Sequence, residues 1–185
     1  MNPAEVLLGH FDQIARCKPI FRSASMAGDS TAINLAIYHE FPSADSFTAF
    51  TVGLSHFHPP GGSHIELTIS MRDSDDIWAL AMGNVAARLS EKCAFACGDT
   101  IDFKEPISRL SAMSAFVVTH PMRVPKAQRI IDIGIRKVWL MELVPIFQEE
   151  RAWLRADGTL QQMLGDKPQD ILMNPIRPIL VQPHS

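Results

Sequence analysis

The segment FTAFTVGLSHFHPPGGSHIELTIS, residues 47–70, contains two strand-like runs separated by a turn. The runs FTAFTVGLS and HIELTIS are rich in the β-branched and aromatic residues that strands favour. Between them, the Pro-Pro-Gly-Gly sequence at 59–62 interrupts any strand pairing and supplies turn geometry. The segment therefore predicts two neighbouring strands joined by a surface connection, with His56, His58 and His64 at its rim.

The sequence on either side of this segment alternates between helical and strand-like periodicity. Helical spacing predicts an N-terminal helix within residues 3–17, a long central helix within 74–98 and a third helix within 148–164. Further strands are predicted in TAINLAIYHEF at 31–41, TIDF at 100–103, MSAFVVTH at 113–120 and KVWLMELVPIF at 137–147. These elements predict an α+β fold in which helices pack on a mixed or antiparallel sheet.

The domain organisation follows from the length and from the distribution of proline. The 185 residues suit one domain with its own core, which we place at 1–165. The remaining residues, 166–185, hold four prolines, so we expect an extended strap or tail there rather than another regular element.

Composition and charge indicate an ordinary globular protein. Hydrophobic residues make up 46% of the chain and charged residues 20%, and the formal net charge is −3. A chain of this charge has no global basic field, so we expect no nucleic-acid partner. The first residues lack the basic and apolar pattern of a signal peptide, no apolar run has membrane-spanning length, and the three cysteines do not resemble a disulfide framework. We therefore expect a cytoplasmic protein with reduced thiols and no membrane partner.

The three histidines allow a metal site as an alternative interpretation. His56 and His58 could share one face of a strand, and His64 with Glu66 could complete a zinc ligand set. Histidines are common in polar connections without binding a metal. We therefore prefer the interpretation that these histidines bind no metal, and we expect no cofactor.

Two other pairs of reactive side chains have simpler explanations. Cys93 and Cys97 are spaced to share one face of the central helix, where we expect them to be buried as small hydrophobic residues. Glu149 and Glu150 could act as acid and base, but carboxylates in the first turn of a helix commonly interact with the helix dipole. Neither pair predicts an active site.

Two segments in this order resemble the suppressor of fused family. Residues 47–70 are similar to the family's Thr-x-Gly-x-Ser strand, variable loop and Glu-Leu strand. LMELVPIFQEERAWLRADGTLQQML, residues 140–164, is similar to its apolar strand with Val-Pro and an acidic pair, followed by its closing helix. The pieces DDIWALAMGNVAARL and GDTIDFKEPIS resemble what the family has between them, so the resemblance runs from about Ala36 to Leu164. The chain departs from the pattern at Arg72 and Asp73, where a proline commonly ends the Glu-Leu strand.

The resemblance implies a non-enzymatic, protein-binding α+β domain of the bacterial single-domain type. Bacterial relatives are inferred to be immunity proteins that bind and neutralise a toxin, and this is our first hypothesis for the partner. A metal-assisted hydrolase that uses His56, His58 and His64, with Glu66 or Glu149 as base, is the alternative. An unpaired sheet edge would also allow a homodimer.

Aromatic residues are the candidates for a binding surface, because aromatic side chains dominate many interfaces. We single out Phe57, which we expect to be exposed between His56 and His58. Trp139 and Trp153 are further candidates, although packing in the core is the more common role of tryptophans at periodic positions.

Overall fold

Helices and strands follow one another in an order close to the one that the sequence patterns predict. A computed structural model describes residues 2–24, 33–57, 63–89 and 94–181. The helices are α1 Pro3–Ala15, α2 Ile77–Leu89, α3 Gln148–Arg155 and α4 Leu160–Leu164. The strands are β1 Ile20–Ser23, β2 Asn34–His39, β3 Phe47–Val52, β4 Ile65–Met71, β5 Thr100–Asp102, β6 Ala115–Thr119, β7 Ile130–Asp132 and β8 Lys137–Ile146. Among these residues, no helix has both the length and the apolar character needed to cross a membrane.

All these strands belong to one sheet. Their order is β1-β2-β3-β4-β8-β6-β5, and β7 pairs with the first residues of β8. Neighbouring strands run antiparallel except β4 and β8, which are parallel. The sheet is therefore mixed, and the predicted α+β fold with helices packed on a mixed sheet is confirmed.

Side chains alternate between the two faces of the sheet, and different helices cover each face. On β8, Met141 and Leu143 belong to an apolar cluster with α2. On the opposite face, Leu140 belongs to a cluster with α1, whereas Val144 belongs to a cluster with α4. We call these the α2, α1 and α4 clusters.

The N-terminal helix lies where the sequence predicts it, because local sequence supplies its cap and its apolar stripe. The side chain of Asn2 accepts a hydrogen bond from the N–H of Ala4. On the buried side, the ring of Phe11 stacks on Phe50 of β3 with the ring centres 4.3 Å apart. This aromatic pair, together with the buried Leu7 and Ile14, holds the helix against the sheet.

The predicted third helix is divided into two. Between α3 and α4, Asp157 adopts a positive φ of 69°, which a continuous helix does not allow. Gly158 lies against the ring of Trp153, where a larger residue would clash. A second helix then begins at Leu160 and is capped by Thr159, whose hydroxyl accepts the N–H of Gln162 at 3.2 Å.

The prediction for the cysteines is wrong for Cys97. The described part of α2 ends before residue 90, and Cys93 lies outside the described residues. Cys97 is exposed in a turn, not on a helical face. The turn is fixed by the N–H of Gly98, which donates to the carbonyl of Val118 at 2.9 Å.

The proline-rich segment packs on the domain as far as it is described. It includes a short 3-10 turn, Gln169–Met173, within the region that we expected to lack regular structure. The carbonyl of Met173 accepts the N–H of Arg72 at 2.8 Å, which joins the segment to the end of β4. Residues 182–185 lie outside the described residues, and the division of the chain at residue 165 stays a prediction.

Candidate functional site

A buried carboxylate organises the start of the connection between β3 and β4. Glu66 accepts hydrogen bonds from the hydroxyl of Thr51 at 2.5 Å, the N–H of Gly53 at 3.1 Å and the N–H of Ser55 at 3.0 Å. The hydroxyl of Thr51 also accepts the N–H of Leu67 at 2.8 Å, where the regular pairing of β3 with β4 has ended. The Thr-x-Gly-x-Ser pattern is therefore the stretch of backbone that surrounds Glu66.

The surroundings of Glu66 give it a structural role. Burial raises the pKa of the Glu66 carboxyl, and its hydrogen bonds with Thr51, Ser55 and Gly53 oppose that shift. These donors lie at the end of β3 and in the connection that follows it, so the carboxylate binds its own chain. From the sequence we considered Glu66 as a metal ligand or a base and did not predict these hydrogen-bond partners.

Two of the three histidines of the connection, His56 and His64, lie within the described residues. His56 is exposed, and His58 lies outside the described residues. The Nδ1 of His64 lies 2.9 Å from the carbonyl oxygen of Ser55. Phe57 is half-buried and packs against the α2 cluster, so it is less exposed than we predicted. The short 3-10 turn before Phe57 directs the chain back onto the sheet.

The described residues offer no group of three histidine, cysteine or acidic side chains that could hold a metal ion. Glu149, the other base considered for a hydrolase, is exposed on α3, which packs against β5 and β6. The described part of the chain therefore places Glu66 and Glu149 in different surroundings, one enclosed by its own connection and one on the surface.

Trp139 lies at the surface, on the same end of the sheet as His56 and Phe57. The backbone N–H of Trp139 donates to the backbone carbonyl of His64 at 2.9 Å, which places the start of β8 beside the connection. Its side chain is 42% exposed. Core packing, the more common role for such a tryptophan, is therefore wrong for Trp139, because β8 begins only two residues earlier, at the end of the sheet.

Three exposed apolar side chains lie on the hairpin of β7 and β8, and others lie elsewhere, such as Phe21 on β1 and Leu110 between β5 and β6. Ile130 is paired with Trp139 across the two strands and is 39% exposed. Ile135 lies in the turn between the strands and is 74% exposed. We call Ile130, Ile135 and Trp139 the hairpin patch.

Trp153 is separated from this surface by the sheet. It lies on α3, is half-buried and packs against the α4 cluster. The α4 cluster and Trp139 are on opposite faces, because Trp139 alternates with Leu140 and Val144 along β8. The structure thus brings His56, Phe57 and Trp139 to one end of the sheet and places Trp153 elsewhere.

Glu150 forms a buried ion pair that its sequence position does not predict. Arg177 donates from both terminal nitrogens to the two carboxylate oxygens of Glu150, at 2.5 and 2.7 Å. Both side chains are completely buried, and the guanidinium lies 5.2 Å from the ring centre of Phe147. The N–H of Leu180 also donates to Glu150 at 2.9 Å. The helix-dipole interpretation is therefore incomplete, since Glu150 holds the C-terminal segment.

Glu142 is a second buried carboxyl that sequence reasoning missed. It lies on the α1 and α4 side of β8 and accepts the N–H of Met122 at 2.6 Å. Burial raises the pKa of Glu142 to about 7, against the opposing effects of Met122, Arg123 and Arg129. A sequence signal exists, because Glu142 and Glu66 are single carboxylates inside the apolar strands KVWLMELVPI and IELTISM.

The sequence profile of the suppressor of fused protein family matches residues 30–173. No curated protein sequence matches the chain. The matched residues include the Glu66 connection, the hairpin patch and Glu142, whereas Arg177 lies just beyond them.

Solved structures share the fold at low sequence identity. A Neisseria gonorrhoeae protein assigned as a suppressor of fused homologue is 15% identical, with a TM-score of 0.73 over 97% of each chain. A chain of the Sufu–Fu complex is also 15% identical, with a TM-score of 0.74 over 94% of this chain and 90% of that one. Drosophila Suppressor of Fused, again 15% identical, gives a TM-score of 0.70 over 93% of this chain and 49% of its own.

Proposed function

Since the chain belongs to the suppressor of fused family, we propose that it is a protein-binding domain whose partner covers the hairpin patch. The observation that carries the proposal is the exposure of Trp139, at 42%, beside Ile130, at 39%. Tryptophan is enriched among the residues that dominate binding energy. Neighbouring exposed apolar side chains are also typical of interaction sites. A relative with the same fold, found in the Sufu–Fu complex, supports a role in protein binding.

His56 and Phe57 extend the proposed surface. They lie at the same end of the sheet as Trp139, because His64 hydrogen-bonds to Trp139 and to Ser55. The exposed imidazole of His56 would belong to a polar rim around the apolar centre. His58 belongs to the proposal only by its sequence position, since it lies outside the described residues. For Trp153 we propose a packing role instead of a contact.

We further propose that the partner is a toxin and that the chain acts as an immunity-type protein. The Neisseria gonorrhoeae structure supports the bacterial comparison, because it matches over 97% of both chains. The chain spans about half the length of the Drosophila protein, at 49%, so we carry no partner over from that protein. Binding to a toxin requires no catalytic group, in keeping with carboxylates that serve structural roles.

The test begins with recovery of binding proteins from the host lysate on the immobilised chain. The recovered partner is then purified, and its dissociation constant is measured by calorimetry with the wild type, Trp139→Ala and Leu110→Ala. Leu110 is 71% exposed in the segment between β5 and β6, so its variant controls for loss of an exposed apolar side chain. We expect Trp139→Ala to weaken binding at least tenfold, since a tryptophan at an interface centre often contributes about 2 kcal/mol or more.

Equal affinity of Trp139→Ala and Leu110→Ala would move the binding surface away from the hairpin patch. The immunity-type role is tested separately by cell growth. The recovered partner is expressed alone and together with the chain. Growth arrest by the partner, relieved by co-expression of the wild type, is the expected result. A partner that leaves growth unchanged when expressed alone would contradict the toxin proposal.

A further inference from the structure

A cleft lies between the 119–129 segment and the end of α4. It encloses about 520 Å³, within the range of about 300–1,000 Å³ that is typical of ligand sites. Lys126 and Arg129 line one wall, together with His120. Lys167, which follows α4, lines the other wall. The cleft is on the α1 and α4 side of the sheet, near Glu142.

The charge of the cleft is opposite to that of the whole chain. The chain has 17 basic and 20 acidic side chains, which gives it a formal charge of −3. None of the residues that line the cleft is an aspartate or a glutamate. Side chains that are far apart in the sequence therefore form a local cationic surface on an acidic protein.

Two neighbouring acidic groups have partners of their own, and Asp166, between Gly165 and Lys167, is exposed but does not line the cleft. Asp170 already pairs with Arg123 at 2.6 Å. Glu142 is buried behind Met122, whose N–H donates to it at 2.6 Å. On the wall itself, the Nε of Arg129 donates to the carbonyl of Val124 at 3.0 Å, which fixes the plane of the guanidinium group.

We infer that the cleft binds an acidic segment of the protein partner, with aspartate or glutamate side chains between the 119–129 segment and α4. This inference rests on the proposed function and adds the chemistry of the partner. Cations on both walls match several carboxylates along a chain better than they match one small anion. A single-stranded nucleic acid is less suited, because no phenylalanine, tyrosine or tryptophan lines the cleft for base stacking.

The experiment measures fluorescence anisotropy of a fluorescein-labelled hexaglutamate peptide with the full chain at 50 and 300 mM NaCl. The variants are Lys126→Glu, Lys167→Glu and their combination, all at exposed positions. Lys104→Glu is the matched control, because Lys104 is exposed beyond β5 and does not line the cleft. Inorganic phosphate and a labelled six-nucleotide RNA are tested as the other anions.

We expect hexaglutamate to bind the wild type and Lys104→Glu, and to bind at least tenfold more weakly to the double variant. Binding to the wild type should also weaken at 300 mM NaCl, because salt screens exposed charges. Absence of peptide binding, or equal binding to the double variant, would overturn the inference. Phosphate that displaces the peptide at equal concentration would indicate a small-anion site instead. Tighter binding of the RNA would indicate a nucleic-acid site.

The same variants separate this inference from the proposed function. If the recovered partner binds the double variant normally but loses affinity for Trp139→Ala, the cleft inference is wrong and the hairpin patch stands. If the double variant loses the partner while Trp139→Ala retains it, the acidic-segment inference stands and the hairpin patch is wrong.

Discussion

Replacing Glu142 with glutamine tests how burial of its carboxyl affects the stability of the fold. Burial raises the pKa of Glu142 from its ordinary value of 4.5 to about 7 in the folded chain. The folded state therefore holds the proton more tightly than the unfolded state does. The stabilisation that the protonated Glu142 gives the folded state is complete below pH 4.5 and is lost as the pH rises through about 7.

The size of the effect follows from the difference between the two pKa values. One pKa unit corresponds to about 1.4 kcal/mol, so the shift of Glu142 corresponds to about 3 kcal/mol. In Glu142→Gln this contribution is absent at every pH, while the glutamine oxygen can still accept the N–H of Met122. The difference in unfolding free energy between the variant and the wild type should thus change by about 3 kcal/mol between pH 4.5 and pH 8.

Urea unfolding followed by circular dichroism, at half-unit steps from pH 4.5 to pH 8, measures this difference. Glu66 is also a buried carboxyl with a raised pKa, and the comparison with Glu142→Gln cancels its contribution. Glu149→Gln, at an exposed position, controls for the loss of one carboxylate. Parallel pH profiles for the wild type and Glu142→Gln would refute the reasoning.

Two further predictions concern the ion pair of Arg177 and the turn at Gly53. Arg177→Met should lower the unfolding free energy by about 3–5 kcal/mol because it leaves Glu150 buried and unpaired; addition of Glu150→Gln should recover much of this in urea unfolding. The control Arg155→Met, at an exposed position, should change the unfolding free energy by less than about 0.5 kcal/mol. Equal losses in Arg177→Met and in the double variant with Glu150→Gln would contradict the coupling between the two side chains. Gly53→Ala should destabilise the chain by about 1–2 kcal/mol, since φ is 115° at Gly53. Gly9→Ala, in α1 with open space around the added Cβ, should be neutral or stabilising. Melting temperatures that fall equally in the two variants would contradict this prediction.

The fold could be predicted from sequence wherever an element was long enough to show a period. The apolar run of β8 and the stripe of α2 are of this kind, and both were found. β1 and β7 were missed because four and three residues are too few to show alternation. The break between α3 and α4 was also missed, although Asp157-Gly158 is a turn signal and Thr159 with Gln162 forms a capping box.

The candidate site was less predictable because its contacts join distant parts of the chain. Trp139 could be named from its residue type, but its exposure depends on where β8 begins within the sheet. Glu66 could have been recognised as a carboxylate in an apolar strand, although its donors depend on how the connection folds. The cleft could not be found at all, because Lys126 and Lys167 line the same cleft only after α4 has packed on the sheet.

The parallel pairing of β4 with β8 has a consequence for the order in which the chain folds during synthesis. Ile65 pairs with Trp139, roughly seventy residues later, so the middle of the sheet closes only when the last strand has been made. Until then, β4 presents an unpaired edge, although every residue of this strand is buried in the finished sheet. The nascent chain therefore exposes an unpaired strand edge, which can pair with other chains, while the segment between β4 and β8 is being translated. A pause in translation between these two strands would prolong that exposure.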